Sequence, residues 1–268
     1  MKELDVEVIN RFARREGLSL GNAEKEYALS VALLHLSKFS EFRKMAFKGG
    51  TCLKKAYFPE FRFSSDLDFS SKTENAGLQS FLTRVFQNKT LEGVKFTKIL
   101  KLERTKQNLS ISLQYESQIS GAGHVDSIRI ESSRESEVML PLQEKQILNP
   151  PEFELPPSFA YCLDLREILA EKIHAIYHRP KPRDLHDLDF LLAKGIAVDE
   201  SLIEAKLKPI DKKLEFNSFK ERMNVLGERW ERDLRQVMQK TPDFQQIQGR
   251  VTKKLFNAEH GTLGGGTK

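Results

Sequence analysis

The sequence predicts an α+β protein, with a mixed sheet and its helices in the N-terminal half and a helical domain after it. Three observations predict this. Between residues 45 and 131, short stretches alternate apolar and polar side chains with the two-residue period of strands. Beyond residue 158 the apolar residues recur at helical spacing instead. Between the two lies NPPEFELPPS, residues 149–158, where four prolines in ten residues can continue neither a helix nor a central strand. Domains are therefore expected at 1–148 and 159–268, joined by a stiff linker over 149–158.

Taken in order, residues 1–21 read as a short helix and a loop ending near Gly17 and Gly21. Asn22 is a plausible N-cap for a core helix in which Tyr27, Val31 and Leu34 recur at helical spacing. Met45-Ala46-Phe47 is a short strand that breaks at Gly49-Gly50-Thr51. A short helical segment and a second strand with Asp66-Leu67-Asp68 follow. A polar segment from Ser71 to Gly77 leads into an amphipathic helix over 78–86. VKFTKILKLERT and NLSISLQYES both alternate and should form a hairpin around Thr105-Lys106-Gln107. Ser127 to Glu131 alternates again, with Ile128 and Ile130 inward and Arg129 and Glu131 on the other face. In the second half Asp164 opens a helix with Glu167 three residues on, an acidic capping-box pattern. Arg183-Asp184 begins another helix, which closes at Gly195. The glycine-rich end, 260–268, is assigned no role.

The totals narrow the function classes. At 268 residues the chain can bury a sizeable core. Cys52 and Cys162 lack metal-ligand spacing and read as reduced packing residues. MKELDVEVIN has no basic-then-apolar signal pattern, and the apolar run Val31–Leu36 is too short to span a bilayer. A cytoplasmic protein without a membrane partner is expected. The net charge is +5, and its surplus falls entirely after residue 200, where fourteen Lys and Arg face nine Asp and Glu. Such a surface suits a polyanion, and equally a solvated helical face.

Residues 47–70, FKGGTCLKKAYFPEFRFSSDLDFS, carry the chemistry. On a strand Asp66 and Asp68 project together while Leu67 and Phe69 point into the core. Two adjacent carboxylates repel, and a divalent cation with a preference for oxygen ligands, Mg²⁺ or Mn²⁺, would relieve the repulsion. Paired glycines before a helix let backbone N–H groups approach a phosphate. Together they suggest chemistry on a nucleoside triphosphate. Lys54 and Lys55 between the two motifs would touch phosphate or face solvent. Later in the chain, Lys172 lies in or beside the apolar stripe of Leu165, Ile168, Leu169, Ile173 and Ile176. It is either a lysine snorkelling from the stripe's edge or one aimed inward at phosphate.

The GGT and RFSSDLDFS segments resemble the first motif of the AbiEii/AbiGii toxin nucleotidyltransferases, the MenT-like branch of the DNA polymerase β-like superfamily. LREILAEKIHAI followed by KPRDLHDLDFLL is similar to that family's later motifs. The resemblance covers roughly residues 20–195. It implies a polymerase β-like nucleotidyltransferase domain and a site in which Asp66 and Asp68 hold the metal. Gly49, Gly50, Thr51 and Ser64 would bind the nucleotide's phosphates, and Lys172 would neutralise the triphosphate. Asp184 would be the catalytic or orienting acid of the second domain, beside Arg183 and Asp187. The wider superfamily has a third carboxylate on a neighbouring strand, for which Glu131 is the choice and Asp126 the reserve. These parts are expected to meet across one cleft.

The implied activity is Mg²⁺-dependent transfer of a nucleoside monophosphate to RNA, the 3′ end of a tRNA, blocking translation. A separately encoded antitoxin would be the protein partner. Lys206, Lys208, Lys212, Lys213, Arg222, Arg229, Arg232 and Arg235 would hold the RNA; Trp230 is more readily a core residue than a base-stacking one. The same acids could also serve a nucleotidyl or phosphoryl transferase acting on a protein or small molecule, or a metal-dependent nuclease. A non-catalytic RNA-binding module could retain the fold.

Overall fold

The computed structural model describes residues 4–105, 107–119, 123–134 and 137–256 and divides into two compact units at Leu163/Asp164. The expectations at Lys106, at Ser120 to Ala122 and at 260–268 lie outside the described residues. Among the described residues no helix is long and apolar enough to cross a membrane.

The first unit opens with α1 (Val6–Glu16), closed by Gly17 in the left-handed conformation at φ 61°. The helix α2 (Leu20–Ser37) starts two residues before the expected cap. The Ser19 hydroxyl accepts from the Asn22 N–H, so Asn22 lies inside the first turn and is not its cap. This helix is buried nearly all round, as expected of one inside a core. Next come β1 (Met45–Lys48), α3 (Gly49–Cys52) with a π-helical turn over Leu53–Tyr57, and β2 (Asp66–Ser71). Then follow α4 (Asn75–Phe86), β3 (Lys89–Leu91), β4 (Val94–Arg104), β5 (Asn108–Glu116) and β6 (Val125–Ser133). Two further strands, β7 (Gln143–Gln146) and β8 (Phe159–Cys162), flank the prolines.

These strands form one mixed sheet in the order β3-β4-β5-β6-β2-β1-β8-β7. The prolines are therefore no boundary. They frame a 3-10 turn over Pro151–Phe153 and deliver β8 alongside β1 in parallel, so the division falls after Leu163. Strands of only four residues carry too little alternation to be read beforehand. In the registers β1/β2/β6/β5, Phe47, Leu67, Phe69, Ile130 and Ile111 share the apolar face and are all essentially inaccessible. α2 packs against β6 and β8, and α4 against β4 and β5. Cys52 and Cys162 are both free and buried.

The second unit is helical: α5 (Leu165–His178), α6 (Pro182–Ala193), α7 (Glu200–Leu207), α8 (Phe216–Gly227), α9 (Trp230–Leu234) and α10 (Phe244–Phe256). Asp164 caps α5 through the Arg166 N–H at 2.9 Å. Glu167, three residues on, faces the interior. It is wholly buried and takes Lys206 of α7 at 2.6 Å. Proline at the first position and Gly195 beyond the end, at φ 77°, delimit α6. Its Leu185, Leu188 and Leu192 are buried. α10 clamps α6: Arg250 holds Asp189 by two bonds of 3.0 and 2.7 Å, which raises the guanidinium pKa. Trp230 is core, its indole N–H donating to the Pro242 carbonyl at 2.7 Å.

Candidate active site

The polar face of the sheet begins with strand parity. Because β2 is regular, Asp66 and Asp68 lie on the face opposite Leu67 and Phe69. The parallel register with β6 sets Asp66 beside Arg129 and Asp68 beside Glu131. On the other side, antiparallel β1 sets Lys48 beside Asp68. Three acidic positions on two adjacent strands are thus flanked by two cationic ones. Arg129 approaches Glu131 at 3.6 Å, both half-exposed. Asp126 lies elsewhere: its parity places it with Ile128 and Ile130, and it is occupied by Lys25 at 2.9 Å and the Tyr115 hydroxyl at 3.1 Å. Burial of the ring, aided by the Asp126 charge, pushes the Tyr115 pKa up. The register therefore favours Glu131 over Asp126 as the third carboxylate.

The glycines are set against these acids. Gly49 adopts φ 76°, and a Cβ on it would overlap the Asp68 carboxylate. A Cβ on Gly50 would fall 2.8 Å from Ser64 Oγ and 3.2 Å from an Arg62 nitrogen. Backbone and acidic strand thus approach as closely as two glycines permit. Ser64 belongs to this contact, as does the buried Arg62, stacked over Phe61 at 5.3 Å. Thr51 departs from its expected part. Its side chain is fully buried and donates to the Asp66 carbonyl, tying the cradle to the strand, so any phosphate contact falls to its backbone.

Neither lysine of the intervening turn is available to phosphate or solvent. Lys54 donates to the carbonyls of Pro59 and Phe61 at 3.2 and 3.1 Å. Lys55, wholly buried, pairs with Glu26 at 2.8 Å and Ser30 at 2.6 Å. Desolvation drives its pKa down against the pull of Glu26.

In the second unit, Lys172 of α5 points inward and meets two carboxylates of α6. Its ammonium lies 3.0 Å from Asp184 Oδ1 and 2.7 Å from Asp187 Oδ2. Lys172 and Asp184 are 8% and 4% exposed and Asp187 not at all. Asp184 Oδ2 is buried without a hydrogen-bond partner. Neither expectation for Lys172 holds in its simple form, because the charge is neither at the solvent edge nor free for a triphosphate. Asp187, foreseen only as a neighbour, is as close a partner as Asp184. Its three-residue offset from Asp184 was the available signal.

The basic positions divide. Lys208, Lys212 and Lys213 are exposed. Lys206 is withdrawn from any RNA surface, because its ammonium is buried between Glu167 at 2.6 Å and Glu171 at 3.4 Å. Arg229 donates to the Pro180 carbonyl at 3.3 Å and Arg232 to Asp233 at 3.0 Å, both remaining exposed.

Lys48 and Arg129 were missed as site residues. Lys48 directly precedes the glycines, but only pairing shows that it stands opposite Asp68. The all-oxygen donor set of Asp66, Asp68 and Glu131 suits a hard divalent cation. Among the described residues no three His, Cys, Asp or Glu side chains are already gathered at metal-ligand distances.

Comparison with known proteins identifies the family and the fold. A family model described as "Nucleotidyl transferase AbiEii toxin, Type IV TA system" matches residues 31–250. Among solved structures, the chain is similar to MenT4, a nucleotidyltransferase toxin of Mycobacterium tuberculosis H37Rv. The identity is 18%, with a TM-score of 0.71 over 94% of this chain and 89% of that one. It is also similar to JHP933 of Helicobacter pylori, at 20% identity and a TM-score of 0.58 over 91% and 97% of the two chains. A putative nucleotidyltransferase of H. pylori matches at 19% and 0.59 over 93% and 100%. No curated protein matches by sequence. At such identities the structures establish a shared fold, while the family match spans most of the chain: it belongs to the AbiEii nucleotidyl transferase toxin family, the toxin side of a type IV toxin–antitoxin system.

Proposed function

We propose that this toxin transfers a nucleoside monophosphate from a nucleoside triphosphate to the 3′ end of a tRNA. The tRNA so altered would block translation in the cytoplasm, and a separately encoded antitoxin would hold the activity in check. The observation that carries the reading is the register that sets Asp66, Asp68 and Glu131 side by side, against a glycine with no room for a Cβ. A binding module would need neither.

Asp66, Asp68 and Glu131 would hold Mg²⁺, or Mn²⁺, and Glu131 would exchange Arg129 for it. The ion, when bound, supplies charge to the triphosphate and acidity to the attacking hydroxyl. The chain's own groups bind and orient. Backbone N–H groups from Gly49 to Thr51 would take phosphate oxygens, with Ser64 and Lys48 beside them. The acceptor hydroxyl oxygen forms a bond to the α-phosphorus as the bond to the β-phosphate oxygen breaks. Pyrophosphate leaves, and the proton passes to solvent. Positioning and electrostatics would provide most of the acceleration. Lys172 and Asp184 would serve the same reaction as an oriented pair, and Lys208, Lys212, Lys213, Arg229 and Arg232 would contact the RNA backbone.

The test incubates purified protein with Mg²⁺, each labelled nucleoside triphosphate and total tRNA, beside Asp66→Asn. The expected outcome is lengthened, labelled tRNA with wild type and a loss of about 100- to 1,000-fold in the variant, as for removal of a key electrostatic group. Shortened RNA would mean a nuclease, label on protein a different acceptor, and no turnover a binding module. Any of these overturns the reading.

A further inference from the structure

The polar face of the sheet continues past the acidic positions, away from the glycines. Across β2, β6, β5 and β4, Asp66 stands beside Arg129, Arg129 beside Ser112, and Ser112 beside Leu100. One step along the strands, Asp68, Glu131 and Ser110 stand side by side. Paired residues share a face, so this strip lies opposite the apolar side that carries Leu67, Ile130 and Ile111. The Arg129 side chain is 54% exposed and Leu100 43% exposed. Between them lie only the short hydroxyl side chains of the two serines. A lone exposed leucine is ordinary on a surface; its place at the end of the row that begins with Asp66 gives this one meaning.

The geometry of transfer decides which substrate the strip would meet. Gly49 and Gly50 border Asp68 and Ser64 on the β1 side of β2, while β6 lies on its other side. Phosphates taken by the backbone of 49–51 therefore lie on the β1 side. In an in-line displacement the attacking and leaving oxygens stand on opposite sides of the phosphorus. With pyrophosphate departing toward the glycines, the acceptor hydroxyl arrives from the side of β6.

We propose that Arg129, Ser110, Ser112 and Leu100 form the subsite for the 3′-terminal nucleotide of the RNA acceptor. This rests on the proposed function and adds to it where the acceptor lies. Arg129, exchanged by Glu131 for the metal ion, bonds the terminal phosphodiester. The serine hydroxyls meet the ribose, whose 2′-OH is both donor and acceptor. Leu100 supports the face of the base. Neighbouring strands about 4.8 Å apart put Leu100 roughly 14 Å from Asp66, a span that one nucleotide fills.

The experiment has a kinetic arm and a binding arm. Wild type, Leu100→Asp and Arg129→Ala are assayed for labelled-nucleotide incorporation, with tRNA and nucleoside triphosphate varied separately and melting followed in parallel. Leu100→Asp is expected to raise KM for tRNA about tenfold and to leave KM for the triphosphate and the melting temperature near wild type. Arg129→Ala should also weaken RNA binding and reduce the slope of log K against log salt by about 0.7, the value for one phosphate of a single strand. In the binding arm, single-stranded RNA ending in a 3′-terminal 4-thiouridine is irradiated with wild-type protein and Mg²⁺ without triphosphate, and the adduct is mapped by mass spectrometry. Adducts on β4 or β5 are expected.

A rise in KM for the triphosphate instead of tRNA would assign the strip to the incoming nucleotide and overturn the proposal. Adducts absent from β4 and β5, or an unchanged KM for tRNA in both variants, would overturn it as well. If Leu100→Asp does not fold, Leu100→Ser decides by the same readouts. If wild type labels no RNA, it is the proposed function that fails, and the adduct still decides whether this strip receives an RNA 3′ end.

Discussion

Gly49 shows how much one missing methyl group can decide. Its backbone sits at φ 76°, where a Cβ costs about 1–2 kcal/mol, and that Cβ would occupy the place of the Asp68 carboxylate. Gly49→Ala should therefore fail twice. The expected outcome is a fall in nucleotide incorporation of about 100-fold or more, since displacing a ligand carboxylate by an ångström suffices for that. The melting temperature should drop only by the few degrees that match the backbone strain. The glycine pair was legible in the sequence because no other residue serves there. Thr51 in the same motif was not, since a hydroxyl can face a phosphate or a carbonyl and only the fold aims it at Asp66.

Among the elements, α2 and the π-helical turn after α3 are joined by a buried ion pair, Glu26 with Lys55. Lys55 was open to either solvent or phosphate from the sequence, because the short turn carries no periodicity that assigns it a face. Its burial depends on a partner nearly thirty residues earlier. Glu26→Gln leaves the ammonium buried against a neutral amide and should destabilise the protein by about 3–5 kcal/mol, read by denaturant unfolding. Glu26→Leu/Lys55→Met, which removes both charges, should cost far less. Such an outcome would separate the pair's structural role from catalysis, as incorporation per folded molecule should be unchanged. In the sheet, Asp66 and Asp68 were readable from parity alone. Their flanking residues Lys48, Arg129 and Glu131 depend on which strands pair and in what register, and β2 pairs with two strands distant in sequence from each other.

For the whole molecule the charge surplus after residue 200 suited a polyanion surface and a solvated helical face equally, and burial sorts its members. Lys206 pairs with the wholly buried Glu167, whereas Lys212 and Lys213 are exposed. Lys206→Gln should lower stability by about 3 kcal/mol, because it takes the ammonium away from a wholly buried carboxylate. Lys212→Gln/Lys213→Gln should leave melting unchanged. It should weaken tRNA binding and reduce the slope of log K against log salt by about two, one for each lost phosphate contact. Equal losses of RNA affinity without loss of stability in both variants would contradict this division.

By itself the sequence determined the α+β class, the two acidic residues on one strand face, the glycine pair, the helical second half and the family. Each rests on local rules of chain geometry: alternation, helical spacing, and the freedom that only glycine has. Tertiary structure alone decided that the prolines lead back into the sheet, that Glu131 and not Asp126 stands beside Asp68, that Lys172 is held by two aspartates, and that Lys206 is buried. A charged side chain's identity does not say whether it meets water or an opposite charge. That depends on which distant segment the fold brings against it, and on the cost of burying it without a partner.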